Sequence, residues 1–235
     1  MVVALARTGS IWAKPARSRA QTVRRVCEAL VATYGYSRLG NPREPLDDLV
    51  YIMLSNKTAP DMAQRVYDEL RRRFRCWDDV LSARTYVLRS LLRPAGLATV
   101  KSNQIRATLR RIKRDFGKCD LRAAKTWTQA GVYRYLVALP GVSDKVAKCV
   151  MMYTMGFQVL PVDGHVHRIA RRLGWTARKR LDQCQDELAA LVPPKRRYAF
   201  HVDCILHGRD VCRPARPRCE GCPIRNHCEY LRRRG

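Results

Sequence analysis

The chain of 235 residues is long enough for one or two compact domains, and its 46% of hydrophobic residues excludes disorder over most of its length. Lysine and arginine number 46 against 20 acidic residues, so the formal net charge is +26 and a polyanionic partner is favoured. Nucleic acid is the first candidate for that partner and a membrane surface the second. A membrane span is excluded because no run of 18 apolar residues occurs.

The first residues of the chain are basic. Residues 1–25 contain lysines and arginines but no acid, a composition typical of a transit peptide or of a flexible DNA-binding arm. We favour the arm and place it at residues 1–18. The apolar start Met1–Ala6 is interrupted by Arg7, so no secretory signal is recognised. We therefore expect an intracellular, DNA-associated protein, in the cytoplasm or nucleoid if the source is bacterial.

The hydrophobic pattern predicts an all-α fold of about ten short helices, since hairpin-type turns between alternating apolar runs are missing. The loop 34–45 is rich in glycine and proline and predicts a domain edge. The predicted helices cover residues 20–33, 45–55, 61–74, 83–91, 100–116, 126–139, 143–155, 163–173, 182–191 and 195–207.

The stretch LPGVSDK predicts a tight turn between two helices. Pro140 and Gly141 end the first helix, and Ser143 is a preferred N-cap for the second. The first turn of a helix leaves backbone N–H groups unpaired at the positive end of the helix dipole. Together with the N–H groups of the preceding turn, it can bind one phosphate.

Lys145 lies in this first turn, and Asp163 follows after an apolar helix and a turn that contains Pro161. The helix dipole disfavours the ammonium form of the lysine, and the helix can fold the chain back so that the carboxylate approaches the amine. Taken alone, such a lysine is usually solvated and such an aspartate is usually an N-cap. Their joint position, behind the turn and ahead of a cysteine array, favours a nucleophile and a carboxylate that act together on nucleic acid.

Four of the ten cysteines stand within seventeen residues near the C-terminus, with the spacing C-x6-C-x2-C-x5-C. They are Cys212, Cys219, Cys222 and Cys228. Four thiolates on one short loop can hold a [4Fe–4S] cluster or a zinc ion. Structural zinc sites usually have two close pairs of ligands, whereas this array has one, so the spacing modestly favours the cluster. A pair of disulfides is the third alternative.

Three segments together resemble the helix-hairpin-helix DNA glycosylases, and most closely their endonuclease III branch: LPGVSDK, VDGHVHR and HGRDVC…CEGCPIRNHCEY. The matching motifs span residues 46–230. The resemblance implies a two-lobed all-α fold, in which residues 38–157 form a six-helix barrel domain with the helix-hairpin-helix. Residues 1–37 and 158–235 would form an iron–sulfur cluster domain, with a [4Fe–4S] cluster on the four cysteines.

The same resemblance implies a bifunctional DNA glycosylase and abasic-site lyase, with oxidised pyrimidines as substrates. It identifies Lys145 as the nucleophile, Asp163 as the catalytic aspartate and His165 as their neighbour. The implied DNA-contacting residues are Lys57, Leu97, Gly141, Val142, Ser143 and His165. Among these, Leu97 would insert into the duplex. The implied partner is double-stranded DNA with a damaged base or an abasic site, bound by a monomer without any membrane.

Two residues depart from the family pattern. Ser143 stands where the hairpin commonly has a second glycine, and a serine would be strained there if the position required a positive φ. Lys57 stands where a glutamine fills the space left by the extruded base, and a lysine lacks the acceptor of glutamine. The rival hypothesis is therefore a DNA-binding protein on the same scaffold with little or no catalysis. A zinc-containing RNA-binding protein is the third, and it would be colourless rather than yellow-brown.

Overall fold

The computed structural model describes residues 16–233, with side chains from Arg19 onward. These residues form α-helices and short 3-10 turns without a strand, so the predicted all-α fold is confirmed. The predicted basic arm lies outside the described residues except for its last three, which begin the first helix. The twelve α-helices of residues 16–233 are α1 Ala16–Tyr34, α2 Pro45–Ser55, α3 Pro60–Arg73, α4 Trp77–Ser82, α5 Thr85–Leu92, α6 Ala98–Phe116, α7 Gln129–Val137, α8 Asp144–Thr154, α9 Gly164–Arg172, α10 Gln185–Leu191, α11 Arg197–Asp210 and α12 Glu229–Arg232.

The chain divides into two compact units. Gly40–Phe157 form one, and the described residues up to Leu39 and from Gln158 onward form the other. We call them the central unit and the terminal unit. Between residues 16 and 233, no helix is both long and apolar enough to cross a lipid bilayer.

Helix α2 is the core of the central unit and packs against α3, α6 and α8. Pro45 occupies its first turn, where the missing N–H costs nothing, and two acids follow at the positive end of the helix dipole. The remainder of the helix is apolar and buried, with Leu49, Val50 and Leu54 fully removed from solvent. The sequence pattern therefore predicts this helix with the bounds it has.

The central unit contains seven α-helices, one more than the sequence pattern predicts. The additional helix is α4, which has only six residues and is too short to show a helical period. Long-range contacts fix it: the indole Nε1 of Trp77 donates to Asp47 Oδ1 at 2.6 Å, and the guanidinium of Arg71 lies 5.0 Å from the centre of the Trp77 ring.

The terminal unit is built around α11, which packs against α1 and α9. Its core contains the stacked rings of Trp175 and Phe200, with centroids 5.5 Å apart. Helix α1 contributes Val23, Val26 and Leu30, all fully buried, as its apolar stripe predicts. Helix α1 and the segment from Leu160 to Ile224 thus share one hydrophobic core.

Candidate active site and cysteine loop

The helix-hairpin-helix turn joins α7 to α8 within the central unit. Gly141 adopts φ +77°, and a Cβ there would lie 2.9 Å from the Gln104 side chain, so glycine is required at this position. The backbone N–H of Val142 donates to the carbonyl of Leu139 at 3.1 Å, and the valine side chain is buried. Thr108 of α6 donates its hydroxyl to the Pro140 carbonyl at 2.6 Å. The turn is therefore fixed from both sides.

Ser143 is the N-cap of α8. It has φ −84°, and its Oγ accepts the N–H of Val146 at 3.4 Å. The strain considered for a serine at this position does not occur, because Gly141 alone takes the left-handed conformation in the turn. The N-cap predicted from the sequence is confirmed by this geometry.

An acid stands in the first turn of α8, beside the predicted phosphate site. Asp144 Oδ1 accepts the hydroxyl of Tyr133 at 2.8 Å and pairs with Lys148 Nζ at 2.8 Å. These partners oppose its charge, so the positive end of α8 stays suited to an anion.

Lys145 follows in the same turn and is half-buried, on the helix that packs against α2. Its positive charge lowers the pKa of Asp48, a fully buried carboxyl of α2, as does a 2.6 Å hydrogen bond from Asn41 to Oδ1. Burial outweighs both effects and raises the pKa of Asp48 to about 7. The sequence pattern predicts Asp48 only as an acid at the start of α2. The signal that we missed is the presence of an acid inside an otherwise apolar helix.

Asp163 is the N-cap of α9 in the terminal unit. Its Oδ1 accepts the N–H groups of His165 at 2.9 Å and Val166 at 2.8 Å. The structural role expected of an aspartate before a helix is therefore present, and it leaves Oδ2 outside both hydrogen bonds. Because Lys145 belongs to the other unit, the action of both groups on one nucleotide stays a prediction.

His165 lies in the first turn of α9 and is connected to the cysteine loop through one arginine. Its Nδ1 is 3.1 Å from Arg168 Nη2, and the same guanidinium donates to the carbonyls of Gly208 at 3.0 Å and Cys212 at 2.9 Å. A Cβ on Gly208 would overlap the His165 ring, so the missing side chain makes room for this contact. His167 instead lies buried with Nε2 2.9 Å from the Arg178 carbonyl, as expected of a packing residue.

Lys57 and Leu97 belong to two turns of the central unit and are both exposed. Lys57 has φ +55° and Leu97 has φ +51°, the left-handed conformation that non-glycine residues rarely adopt. An apolar side chain that is 55% exposed, like that of Leu97, on a strained turn fits a residue that contacts a partner.

The four cysteines of the array lie between the end of α11 and the start of α12, and we call this segment the cysteine loop. All four are half-buried and none forms a disulfide. Arg172 Nη1 donates to Cys212 Sγ at 3.1 Å, and Cys228 Sγ donates to the Arg172 carbonyl at 3.5 Å. His207 Nε2 lies 3.5 Å from Cys222 Sγ.

The donor set fits a [4Fe–4S] cluster. Burial, and to a smaller extent the neighbouring groups of Cys212, Cys228 and Cys219, raise the pKa of Cys222 to about 11. Among residues 16–233, no three His, Cys, Asp or Glu side chains form a group that could hold a single metal ion. Ligands of a four-iron cluster stand farther apart than those of one ion, so this finding does not oppose the cluster. Hydrogen bonds to the ligand sulfurs are a common feature of such sites.

His207 has a structural role that sequence reasoning missed. The ring is fully buried, and burial lowers its pKa to about 4, so it is neutral at pH 7. Its Nδ1 lies 2.9 Å from the hydroxyl of Tyr34 in α1, and its Nε2 contacts Cys222. The histidine thus connects the first helix to the cysteine loop.

Comparisons with known proteins agree with this architecture. The profile of the HhH-GPD superfamily of base excision DNA repair proteins matches residues 50–194. The chain is 29% identical over 192 residues to endonuclease III of Thermotoga maritima, which covers 82% of this chain and 86% of that protein. It is 33% identical over 171 residues to a putative DNA glycosylase of Arabidopsis thaliana, which covers 71% of this chain but only 57% of that protein. A solved endonuclease III–DNA complex matches with a TM-score of 0.80 at 22% identity, over 92% of this chain and 97% of that one, and shows the same fold.

Proposed function

Because this chain belongs to the HhH-GPD superfamily of base excision DNA repair proteins and is an endonuclease III-like DNA glycosylase, we propose that it is bifunctional. It excises a damaged base from double-stranded DNA and then cleaves the strand at the abasic site, acting as a monomer. Oxidised pyrimidines are the proposed substrate class, as the endonuclease III resemblance implies. The central unit is the proposed barrel domain and the terminal unit the proposed cluster domain.

The observation that carries this proposal is the position of Lys145. It follows directly on a turn fixed by Gly141 and Ser143, in the first turn of α8. The N–H groups of that turn and of the helix end bind a phosphate of the DNA backbone and thereby set the register of the strand. A formal charge of +26 adds further phosphate contacts, so binding weakens steeply as the salt concentration rises.

Excision requires that the damaged nucleotide leave the base stack, because the glycosidic bond is inaccessible inside the duplex. Leu97 and Lys57 occupy the space that the extruded base leaves. Unstacking costs on the order of a few kcal/mol and less for a damaged base, which favours lesions over normal bases.

The neutral amine of Lys145 attacks C1′ of the deoxyribose, and the glycosidic bond breaks as the base leaves with a proton. The sugar ring then opens at the C1′–O4′ bond, with a proton passing to O4′, and the lysine–sugar Schiff base that forms makes the C2′ proton acidic. Loss of that proton breaks the C3′–O bond, which cleaves the strand on the 3′ side. Asp163, with Oδ1 held by two backbone N–H groups, presents Oδ2 to accept a proton or to stabilise positive charge on the sugar.

The cysteine loop would hold the [4Fe–4S] cluster through Cys212, Cys219, Cys222 and Cys228. When bound, the cluster supplies four strong iron–thiolate bonds that fix the loop and contributes nothing to bond cleavage. The loop then presents arginines to the DNA backbone, among them Arg216 and Arg218.

Borohydride trapping on a duplex with one abasic site tests the proposal. The wild-type protein is expected to form a covalent adduct with the DNA and Lys145→Ala to form none. Lys113→Ala is the control, because Lys113 of α6 is also a lysine of the central unit and pairs with Asp78 at 2.9 Å, outside the turn and α8. Cleavage of a panel of duplexes with single lesions then identifies the preferred base.

The rival hypothesis, DNA binding without catalysis, makes a different prediction for the same experiment. A wild-type protein that binds the abasic duplex but leaves neither an adduct nor a cleaved strand would establish it. Of the two departures behind this hypothesis, Ser143 is unstrained and acts as a helix cap, so only Lys57 still favours it.

A further inference from the structure

The turns that carry Lys57 and Leu97 hold strained backbone. Among residues 16–233, three residues other than glycine have positive φ: Lys57, Leu97 and Arg216. Such a conformation is unfavourable for a residue other than glycine and persists only where the surroundings enforce it. The two turns are separated along the chain by α3, α4 and α5, so sequence proximity does not explain their joint order.

One buried cationic side chain, that of Lys101, is hydrogen-bonded to both turns. Lys101 of α6 is only 4% exposed, and its ammonium group donates to the Leu54 carbonyl at 2.8 Å, to Thr58 Oγ1 at 2.5 Å and to the Ala95 carbonyl at 2.8 Å. Leu54 and Thr58 flank the turn of Lys57. Ala95 lies two residues before Leu97. All three donors of the ammonium group are therefore used on these two turns.

A second bond closes the link directly between the turns. The hydroxyl of Thr58 donates to the Ala95 carbonyl at 2.7 Å while its oxygen accepts from Lys101. The carbonyl of Leu54 belongs to the last turn of α2, where the helix dipole is negative and favours a cation. The ammonium group of Lys101, the hydroxyl of Thr58 and the carbonyls of Leu54 and Ala95 form one closed network.

A buried ammonium group without a carboxylate among these bonding partners is a costly way to stabilise a protein. Burial lowers the pKa of Lys101, which shows that the charge is disfavoured there. An apolar residue of similar length would pack at less cost, so a retained buried cation commonly serves specificity or positioning. Here the groups it positions are two turns with exposed side chains.

We propose that Lys101 is a positioning residue for base extrusion, which locks the Lys57 turn and the Leu97 turn into one rigid wedge that enters the base stack as a unit. This inference rests on the proposed function, in which both side chains fill the gap in the stack. Lys101 itself is buried and touches neither the DNA nor the reacting sugar. Its loss therefore impairs the opening of the duplex and leaves the lysine chemistry at Lys145 intact.

The experiment compares excision and strand cleavage at one oxidised pyrimidine, thymine glycol, in two settings, a fully paired duplex and the same base inside a short unpaired bubble. Wild-type protein is expected to cleave both. Lys101→Met is expected to cleave the paired duplex about tenfold more slowly or worse, since tenfold corresponds to about 1.4 kcal/mol and unstacking costs a few. Cleavage in the bubble, where no stack has to be opened, stays within about threefold of wild type.

Arg106→Met is the matched control. Arg106 lies on the same helix, is also buried, and donates to the carbonyls of Val80 at 3.1 Å, Leu81 at 2.9 Å and Ala83 at 2.8 Å. Like Lys101, it therefore donates to backbone carbonyls, but it does so at α4. It lies away from the turns of Lys57 and Leu97, which we call the wedge turns. A general loss of stability affects both variants alike, whereas the ratio of duplex to bubble cleavage is expected to change only in Lys101→Met.

Thr58→Val provides a milder variant in case Lys101→Met does not fold, and its cleavage ratio is expected to fall about threefold. Fluorescence of 2-aminopurine next to the thymine glycol reports entry of the wedge directly, and its rise on binding is expected to be lost in the variants of Lys101 and Thr58 but not of Arg106. This inference alone is overturned if the ratio of duplex to bubble cleavage is unchanged in Lys101→Met and Thr58→Val. It is also overturned if that ratio changes equally in Arg106→Met. Failure of the wild-type protein to cleave either substrate overturns the proposed function as well.

Discussion

The two wedge turns of the central unit and the cysteine loop of the terminal unit are built alike but completed differently. Each wedge turn, like the cysteine loop, contains a residue other than glycine in the left-handed conformation, which in the cysteine loop is Arg216 at φ +51°. In both regions a cationic side chain on a helix donates to backbone carbonyls. Lys101 serves the wedge turns. Arg172 serves the cysteine loop through the carbonyls of Arg213 at 2.8 Å and Pro214 at 3.0 Å.

The difference lies in what remains available to bind an added group. The network around Lys101 is buried and closed by atoms of the chain itself. In the cysteine loop, four half-buried thiols remain without disulfides after the arginine has made its bonds. The comparison indicates that the central unit fixes the turns of Lys57 and Leu97 with its own atoms, whereas the terminal unit relies on the cluster that we propose for its loop.

The largest effect is therefore expected from a change in the cysteine loop. Cys219→Ser removes one of four proposed ligands, so the protein should lose most of its iron and its visible absorption, and the terminal unit should lose several kcal/mol of stability. Cys76→Ser is the control, because Cys76 is an exposed free cysteine outside the loop. Iron analysis, absorption spectra and thermal unfolding of the three proteins measure the effect.

A Cys219→Ser variant that loses its iron but keeps the unfolding temperature of wild type would break the comparison. It would mean that the arginine bonds alone hold the cysteine loop, as the lysine bonds hold the wedge turns.

A smaller effect is expected from the buried carboxyls, one in each unit. Burial raises the pKa of Asp48 and of Asp203 to about 7, and both are fully buried. Since the folded pKa exceeds the unfolded one, each group favours folding at low pH and loses that contribution as the pH rises towards 7. Between pH 5 and pH 8, wild type should lose about 2–3 kcal/mol per group relative to Asp48→Asn or Asp203→Asn.

Urea unfolding at the two pH values measures this difference. Asp48 has Asn41 and Lys145 as partners, whereas neither carboxylate oxygen of Asp203 has a hydrogen-bond partner among the described residues. Asp203→Asn is therefore expected to gain at least as much as Asp48→Asn. If the free energy of unfolding depends equally on pH in wild type and in both variants, the two carboxyls are hydrated in solution.

The smallest effect is expected at a helix cap. Ser143→Ala removes the acceptor for the Val146 N–H and should cost about 1 kcal/mol, whereas Ser143→Gly, the residue common in the family, should cost only a few tenths. Thr128→Ala is the matched control, since Thr128 caps α7 through the Gly131 N–H at 3.2 Å. A loss of DNA affinity in Ser143→Ala beyond that of the control would show that the serine also serves the phosphate site.

Local signals in the sequence predict the helices well, but they predict the long-range side-chain contacts between segments poorly. Helix α2 has its predicted bounds because Pro45 and two acids mark its start, and Ser143 caps α8 because serine satisfies an N–H wherever a helix begins. The Lys101 network joins residues 47, 43 and 6 positions apart, and no short-range pattern distinguishes this lysine from the solvated lysines around it. Helix α4 was missed for the same reason, since tertiary contacts at Trp77 fix it.

The packing of α1 against α11 determines the order in which the two units of the nascent chain can fold. The contact of Tyr34 with His207 and the ion pair of Glu28 with Arg196 join residues that are 173 and 168 positions apart. At a synthesis rate of about 5–20 residues per second, the first helix waits on the order of ten to thirty seconds for its partner. During that time the central unit is complete and free to fold, while the apolar stripe of α1 stays uncovered and open to chaperones.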